Sequence, residues 1–473
     1  MLTTTATHAS APGNLRRLAT QVQRGERSAR DLVDLSLARI EAHGELNAVV
    51  ALCGDEARAE ADSVDAAIAR GDEVGPLAGL PLLGKDNDDV RGLPTTHGSK
   101  WFAGTSPAET DGVSVGRLRS AGAIAVGKTN VPEFCIEGFT DNLIYGATRN
   151  PWDLQRSPGG SSGGSAAALA GGLAAIATAT DGGGSARIPA ALTGLLGFKP
   201  TTGLIGRRRL PEWMEFSTDG LMATTTDDLQ LLLSAVAGPV IGDPSAAPRS
   251  PGHGKMPRRI LLAERTDDLG PLPPDVAAAL STKAHELADV LRVPVETREP
   301  GWFFPGYSPD EDWFTIAAAE HASLYGRQRI ERDLGQLYPS TQEFLTFGLS
   351  VSADDYLAAR RRRYDAVLRM DGILGDDTAL VTPTLAVAGY GLRGETGEEG
   401  SGLLGPEVYS TAIQNVVNLP AISLPAGSTP DGLPFGLQVT IPRWNDLALI
   451  NLAAAWERAR PWPLAAPGYE PFA

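Results

Sequence analysis

Cysteine is nearly missing from this chain: Cys53 and Cys135 are the only thiols in 473 residues. Two cysteines without a metal-ligand spacing exclude a disulfide scaffold and a zinc framework. A reducing compartment is the simpler reading, and a lone Cys53–Cys135 bridge is the alternative. Positive charge is also short. The 41 Lys+Arg against 57 Asp+Glu give a formal net charge of −16, a field that repels nucleic acid and anionic membrane surfaces. No run reaches the ~20 apolar residues of a bilayer-spanning helix; the longest weakly polar stretch, Ser165 to Thr180, is dominated by Ala and Gly. Residues 1–13 have neither a basic start nor an apolar h-region, so they are expected to form a frayed arm and not an export signal. These absences together predict a cytoplasmic protein with no nucleic-acid or membrane partner.

What remains is an ordinary core-forming composition, 42% hydrophobic and 21% charged. Ser28-Ala29-Arg30-Asp31 has a capping pattern, and Leu32, Leu35 and Ile40 follow at helical spacing up to Gly44. A second helix is predicted over Gly54 to Gly71, and buried strands over Pro76 to Leu83 and Ala121 to Val126. The Ala-rich stretch from Ser165 to Thr178 is expected to be one helix between two Gly/Ser loops. Further helices are expected over Pro274 to Val290 and Asp354 to Met370, with strand character at Val381 and Ile422-Ser423-Leu424. Strands alternating with helices predict an α/β fold. Residues 240–256 and 386–406 lose apolar periodicity and predict long surface loops.

Two motifs mislead. Gly122-Ala123-Ile124-Ala125-Val126-Gly127-Lys128-Thr129 satisfies the P-loop pattern, but a phosphate loop follows a strand and opens a helix. Here the strand-like run lies inside the motif and Asn130-Val131-Pro132 follows it. Gly159-Gly160-Ser161-Ser162-Gly163 fits the nucleophile elbow, whose triad needs a downstream histidine. His253, His285 and His321 are the histidines that follow, and each sits in a polar or helical context with no signal that it returns to the serines. No metal-ligand cluster is present.

The concentrated signal is the loop Gly159 to Ser165, followed 24 positions after Ser161 by Ser185 in Asp181-Gly182-Gly183-Gly184-Ser185-Ala186-Arg187. Glycines before a serine let main-chain N–H groups converge on a developing oxyanion, although either loop alone could be a glycine turn. A serine nucleophile needs a base, and without a credible histidine that base is a lysine held neutral by desolvation. Of only six lysines, Lys85 ends the apolar run Leu80-Pro81-Leu82-Leu83-Gly84 and precedes Asp86-Asn87. A solvated strand cap is the other reading of that position.

These residues closely resemble the amidase signature family, and the resemblance covers most of the chain. It is carried by Lys85-Asp86-Asn87, the Gly-Gly-Ser-Ser-Gly-Gly loop at 159–164 and Asp181-Gly182-Gly183-Gly184-Ser185. Gly79-Leu80-Pro81, Arg149-Asn150-Pro151-Trp152, Gly197-Phe198-Lys199-Pro200-Thr201 and Asn418-Leu419-Pro420-Ala421 support it. The resemblance implies a single domain over 1–473 with a signature core at about 77–206, folded as a large mixed, mainly parallel sheet covered on both faces by helices. It implies a linear-amide hydrolase working through an acyl-enzyme without metal or organic cofactor. Ser185 would be the nucleophile, Ser161 the bridging serine on a cis peptide, and Lys85 the base. The main-chain N–H groups of Gly182, Gly183, Gly184 and Ser185 would form the oxyanion hole, with Ser162, Asp181 and Arg187 as supports.

Where the family carries an apolar residue after Lys-Asp-Asn, this chain has Asp88. It is expected to point to solvent; otherwise its charge would favour the protonated base. Cys135, Ile136, Tyr145, Trp152 and Trp213, with Trp101 and Phe139, lie in segments that border an acyl pocket or belong to the core. Segments 207–217, 301–350 and 386–410 are the least family-like and are expected to shape the pocket. A stand-alone bacterial amidase is the leading reading. The glutamine-hydrolysing subunit of the tRNA-dependent amidotransferase is an alternative, and a non-catalytic ligand-binding protein on the same scaffold is another. Homodimerisation stays open.

Overall fold

The computed structural model describes residues 14–208, 213–246, 254–267, 271–395 and 410–473. The frayed arm expected over 1–13 and parts of the loops expected at 240–256 and 386–406 lie outside these residues.

Eleven strands form one sheet: β1 (Val49–Leu52), β2 (Pro81–Lys85), β3 (Ile124–Thr129), β4 (Ile176–Asp181), β5 (Leu196–Lys199), β6 (Thr218–Ala223), β7 (Arg259–Ala263), β8 (Val295–Arg298), β9 (Thr378–Pro383), β10 (Ala421–Ser428) and β11 (Pro434–Thr440). Their order across the sheet is β1-β3-β2-β4-β6-β5-β10-β11-β9-β7-β8. The sheet is mixed and flanked by helices, as expected, but parallel pairing is not the majority. Six of its ten strand pairings are antiparallel. One of the six has a local cause: β10 returns directly into β11 through Thr429-Pro430-Asp431-Gly432, a turn sequence that reverses the chain without a crossover. Parallel pairing is kept in two blocks, β3-β2-β4 and β9-β7-β8.

The first block matters for function. Parallel strands are covered on both faces, so β2 and β3 are buried at every position. Their crossover helices, Val113–Ser120 and Gly163–Ala170, bring the carboxyl ends of β2, β3 and β4 to one edge, where ligands gather in open α/β sheets. Helix Gly163–Ala170 is buried at all eight positions and built from Gly, Ser, Ala and one Leu. A Cβ on Gly164 would run into the Asn130 backbone.

The alanine-rich stretch is not one helix. It breaks at Gly171-Gly172, where Gly172 takes φ +65°, and resumes as β4. Ile176, Thr178 and Thr180 supply the branched side chains that favour extension. The helix predicted from Ser28 is present as Ala29–Ala42, with the Ser28 side chain accepting the Asp31 N–H at 2.9 Å. The false P-loop is a strand and turn: β3 runs through it, and Lys128 forms an ion pair with Asp86 at 2.8 Å, both side chains buried. Lys128 also donates to Thr95 Oγ1 at 2.8 Å, so it pins the loop after Lys85. Both cysteines are unbridged. Among the described residues, no helix is long and apolar enough to cross a membrane.

Candidate active site

Lys85 closes β2 and is fully buried. Its Nζ lies 2.8 Å from Ser161 Oγ and 2.7 Å from Thr180 Oγ1, while its N–H donates to Thr178 Oγ1 at 2.8 Å. Thr178 and Thr180 share a face of β4 because side chains alternate along a strand, and that face looks at Lys85. Asn87 Nδ2 also donates to Thr180 Oγ1, at 3.2 Å. Thr180 is a site residue that sequence reasoning missed. The period of two between Thr178 and Thr180, ending at the Asp181 loop, was the signal available.

Ser161 is buried and follows a cis Gly160–Ser161 peptide bond. The two Gly/Ser loops are tied through main chain, Ser162 N–H donating to Ser185 O at 3.2 Å. Ser185 is 7% exposed and lines a cavity of about 560 Å³. The structure thus brings Lys85 and Ser161 into contact and sets Ser185 on the adjoining loop. The Ser185 hydroxyl makes no hydrogen bond among the described residues.

Asp181 and Arg187 support the second loop from below, and both are fully buried. Arg187 donates to Asp181 from Nε at 2.9 Å and from a terminal nitrogen at 2.7 Å. Its other contacts are the Gln414, Asn415 and Gln438 side-chain oxygens, at 3.1, 2.7 and 2.7 Å. Arg187 is thus a buried support of this loop and not a surface side chain. Burial alone would raise the Asp181 carboxyl, but the Arg187 guanidinium outweighs it and holds the group down at about 2. Behind this pair Lys199 is pulled down to about 7 by burial and by Arg187.

One oxyanion donor needs correction. The Gly184 N–H donates to Asp181 Oδ1 at 2.9 Å and is already engaged, leaving the amides of Gly182, Gly183 and Ser185 as donor candidates. Gly184 sits at φ +124°, a conformation that L side chains rarely adopt. Thr411 Oγ1 donates to Gly183 O at 2.5 Å.

Asp88 does not point to solvent. It is half-buried in the turn after Lys85, and burial together with the neighbouring Asp219 carboxylate raises its proton affinity. Asp219 is raised in turn, first by its own burial. The turn folds Asp88 back toward Gly112, whose missing side chain leaves the room.

Of the expected pocket residues, Cys135, Ile136 and Trp213 line the cavity; Tyr145 and Trp152 do not. Tyr145 lies beside Thr96 and Asp86, and Trp152 packs on Gly194 while donating from Nε1 to Thr193 O at 2.9 Å. Trp101 packs at a tilt on Phe134 and edge-on against Tyr325, and Phe139 is core. The walls that sequence reasoning did not name individually are Trp313, Phe314, Phe344 and Phe347, on helices Pro309–Tyr325 and Pro339–Ser350 of the divergent segment. Glu137 and Asp310 bring carboxyls to the same cavity. Burial pushes Glu137 up to about 8. His321 is buried and receives the Trp213 indole N–H, so it serves the pocket wall. Among the described residues no group of three or more metal-ligating side chains occurs.

A family model described as Amidase matches residues 31–450. AmiB2 of Mycobacterium tuberculosis, a putative amidase by its description, is 36% identical over 465 residues, 93% of this chain and 94% of the relative. A glutamyl-tRNA(Gln) amidotransferase subunit of a Cyanothece strain is 33% identical over 478 residues, covering 95% of this chain and 98% of its own. The crystal structure of a bacterial aryl acylamidase of the amidase signature family superimposes with a TM-score of 0.84. It has 27% identity and covers 94% of this chain and 95% of that one. Fold and relatives together make this protein a hydrolase of carbon–nitrogen bonds. Within that class the chain belongs to the amidase signature family, and it is an amidase.

Proposed function

We propose that the protein is a stand-alone amidase that hydrolyses linear amides with an apolar or aromatic portion through an acyl-enzyme on Ser185. The observation that carries this reading is the buried Lys85 Nζ at 2.8 Å from Ser161 Oγ, beside a cavity that Ser185 lines. Neutral Lys85 takes the Ser161 proton while Ser161 takes that of Ser185, and Ser185 Oγ bonds to the amide carbon. The carbonyl oxygen becomes an oxyanion held by main-chain N–H groups. As the C–N bond breaks, the proton on Lys85 returns through Ser161 to the departing nitrogen, which leaves as ammonia or an amine. Water then attacks the ester, loses its proton along the same route, and releases the carboxylic acid with Ser185 restored.

The test is a panel of aliphatic, aromatic and peptide amides read by released ammonia or amine. Ser185→Ala is expected to lose turnover with its melting temperature preserved, and Lys85→Ala to be nearly inactive; full hydrolysis by the Ser185 variant would end this mechanism. The similarity to the amidotransferase component supports a second reading, a glutamine-hydrolysing subunit. Glutamine as the preferred substrate, with a partner protein that co-purifies, would favour it. An aromatic-walled cavity fits an aryl amide better than the polar glutamine side chain.

A further inference from the structure

We infer that Trp313 is a positioning residue for the oxyanion hole, so that one indole both walls the acyl pocket and aims a catalytic amide. The inference rests on the Ser185 reading above. Trp313 Nε1 donates to the Gly182 carbonyl at 2.8 Å. A trans peptide is planar, with its C=O and N–H pointing in opposite directions. Anchoring the Gly182 carbonyl on the indole therefore turns the Gly183 N–H away from Trp313, from a loop residue that itself lines the cavity beside Ser185.

The loop has little other means of holding that angle. Gly182 and Gly183 carry no side chains, and each Cβ would collide with an indole: Gly182's with Trp213 and Gly183's with Trp313. The two indoles meet edge to face, centroids 5.3 Å apart at 79°, and the Trp213 N–H is fixed on His321. Downstream, the Gly183 carbonyl is held by Thr411 and the Gly184 N–H by Asp181. Trp313 thus secures the peptide unit that those two contacts leave unsecured. Preorganised donors are worth more than donors that must reorient during the reaction.

Trp313→Phe keeps a ring in the wall and removes the N–H, and Trp313→Tyr is a second variant without the indole donor should the first melt early. The expected result is a fall in kcat of about tenfold, the scale of one hydrogen bond's net contribution, with KM within about twofold. A trifluoromethyl ketone, which adds Ser185 and presents an oxyanion, should lose affinity by the factor lost in kcat/KM. Trp313→His, whose Nε2 stands two bonds from Cγ as the indole nitrogen does, should recover part of kcat at pH 8. An unchanged kcat, a rise confined to KM, or no recovery in a stable His variant would each overturn the inference. Turnover retained by Ser185→Ala would remove the reading beneath it; an inactive Ser185→Ala beside a fully active Trp313→Phe would remove this inference alone.

Discussion

Asp181→Asn removes one negative charge from a site with no access to water, and its consequences can be worked from the contacts. Asp181 receives both Arg187 bonds, the Gly184 N–H at 2.9 Å, the Ala186 N–H at 3.3 Å and Asn415 Nδ2 at 3.0 Å. The shift from the ordinary aspartate value of 3.8 to about 2 corresponds to about 2 kcal/mol favouring the ionised form in the fold. Substitution costs more than this, because it strands a buried guanidinium on three neutral oxygens; breaking such a pair typically costs about 3–5 kcal/mol. An unfolding entropy that grows with chain length reduces the shift in melting temperature for a chain of this size to roughly 3–5 °C. Because the carboxylate's affinity for protons is lower in the fold, its stabilisation is complete above about pH 4 and fades as pH falls toward 2. The assay is thermal and urea unfolding of wild type and variant from pH 8 to pH 3, with activity in parallel, since the Gly184 N–H loses its charged acceptor. A melting temperature within about 1 °C of wild type, or a stability difference that widens as pH drops below 4, would refute the reasoning.

Lys199 lies lower in the fold than its ordinary value of 10.5, at about 7, so the unfolded chain binds the extra proton between those limits and stability should rise with pH across them. Lys199→Met should flatten that rise, and parallel curves would contradict it. Glu137 is raised from 4.5 to about 8, so the fold holds the extra proton and stability should decline from pH 5 to 8. Glu137→Gln should lessen the decline in the same unfolding series; an unchanged slope would count against a neutral carboxyl at the cavity wall.

The residues of the candidate site were legible because their types are unusual where they stand: a lysine ending an apolar strand and serines set among glycines. The same local chemistry exposed the false P-loop, whose lysine proves to pin the Asp86 turn through a buried ion pair. The pocket was less legible. Tyr145 and Trp152 stand near motif residues in the chain but face elsewhere, whereas Trp313 and Phe344 are more than 120 residues beyond Ser185 and reach the cavity only through tertiary packing. No periodicity encodes such a meeting. Asp88 was misjudged because an acidic turn residue ordinarily faces water; the space that admits it inward comes from Gly112, a residue distant enough in sequence to give no warning. The strand directions beyond β4 depended on which segments return as hairpins, and the Thr429–Gly432 turn was the clearest cue to that.

The cavity wall and the lysine–serine pair are built by different stretches of chain, and this separates what can be altered from what cannot. Helix Gly163–Ala170 is enclosed so tightly that its small residues leave no latitude for change. The helical hairpin over 309–350 holds the aromatic surfaces on its own scaffold. A breeder of new selectivities would therefore diversify that hairpin and keep position 313 constant, exchanging the mould while the die beneath it stays in register.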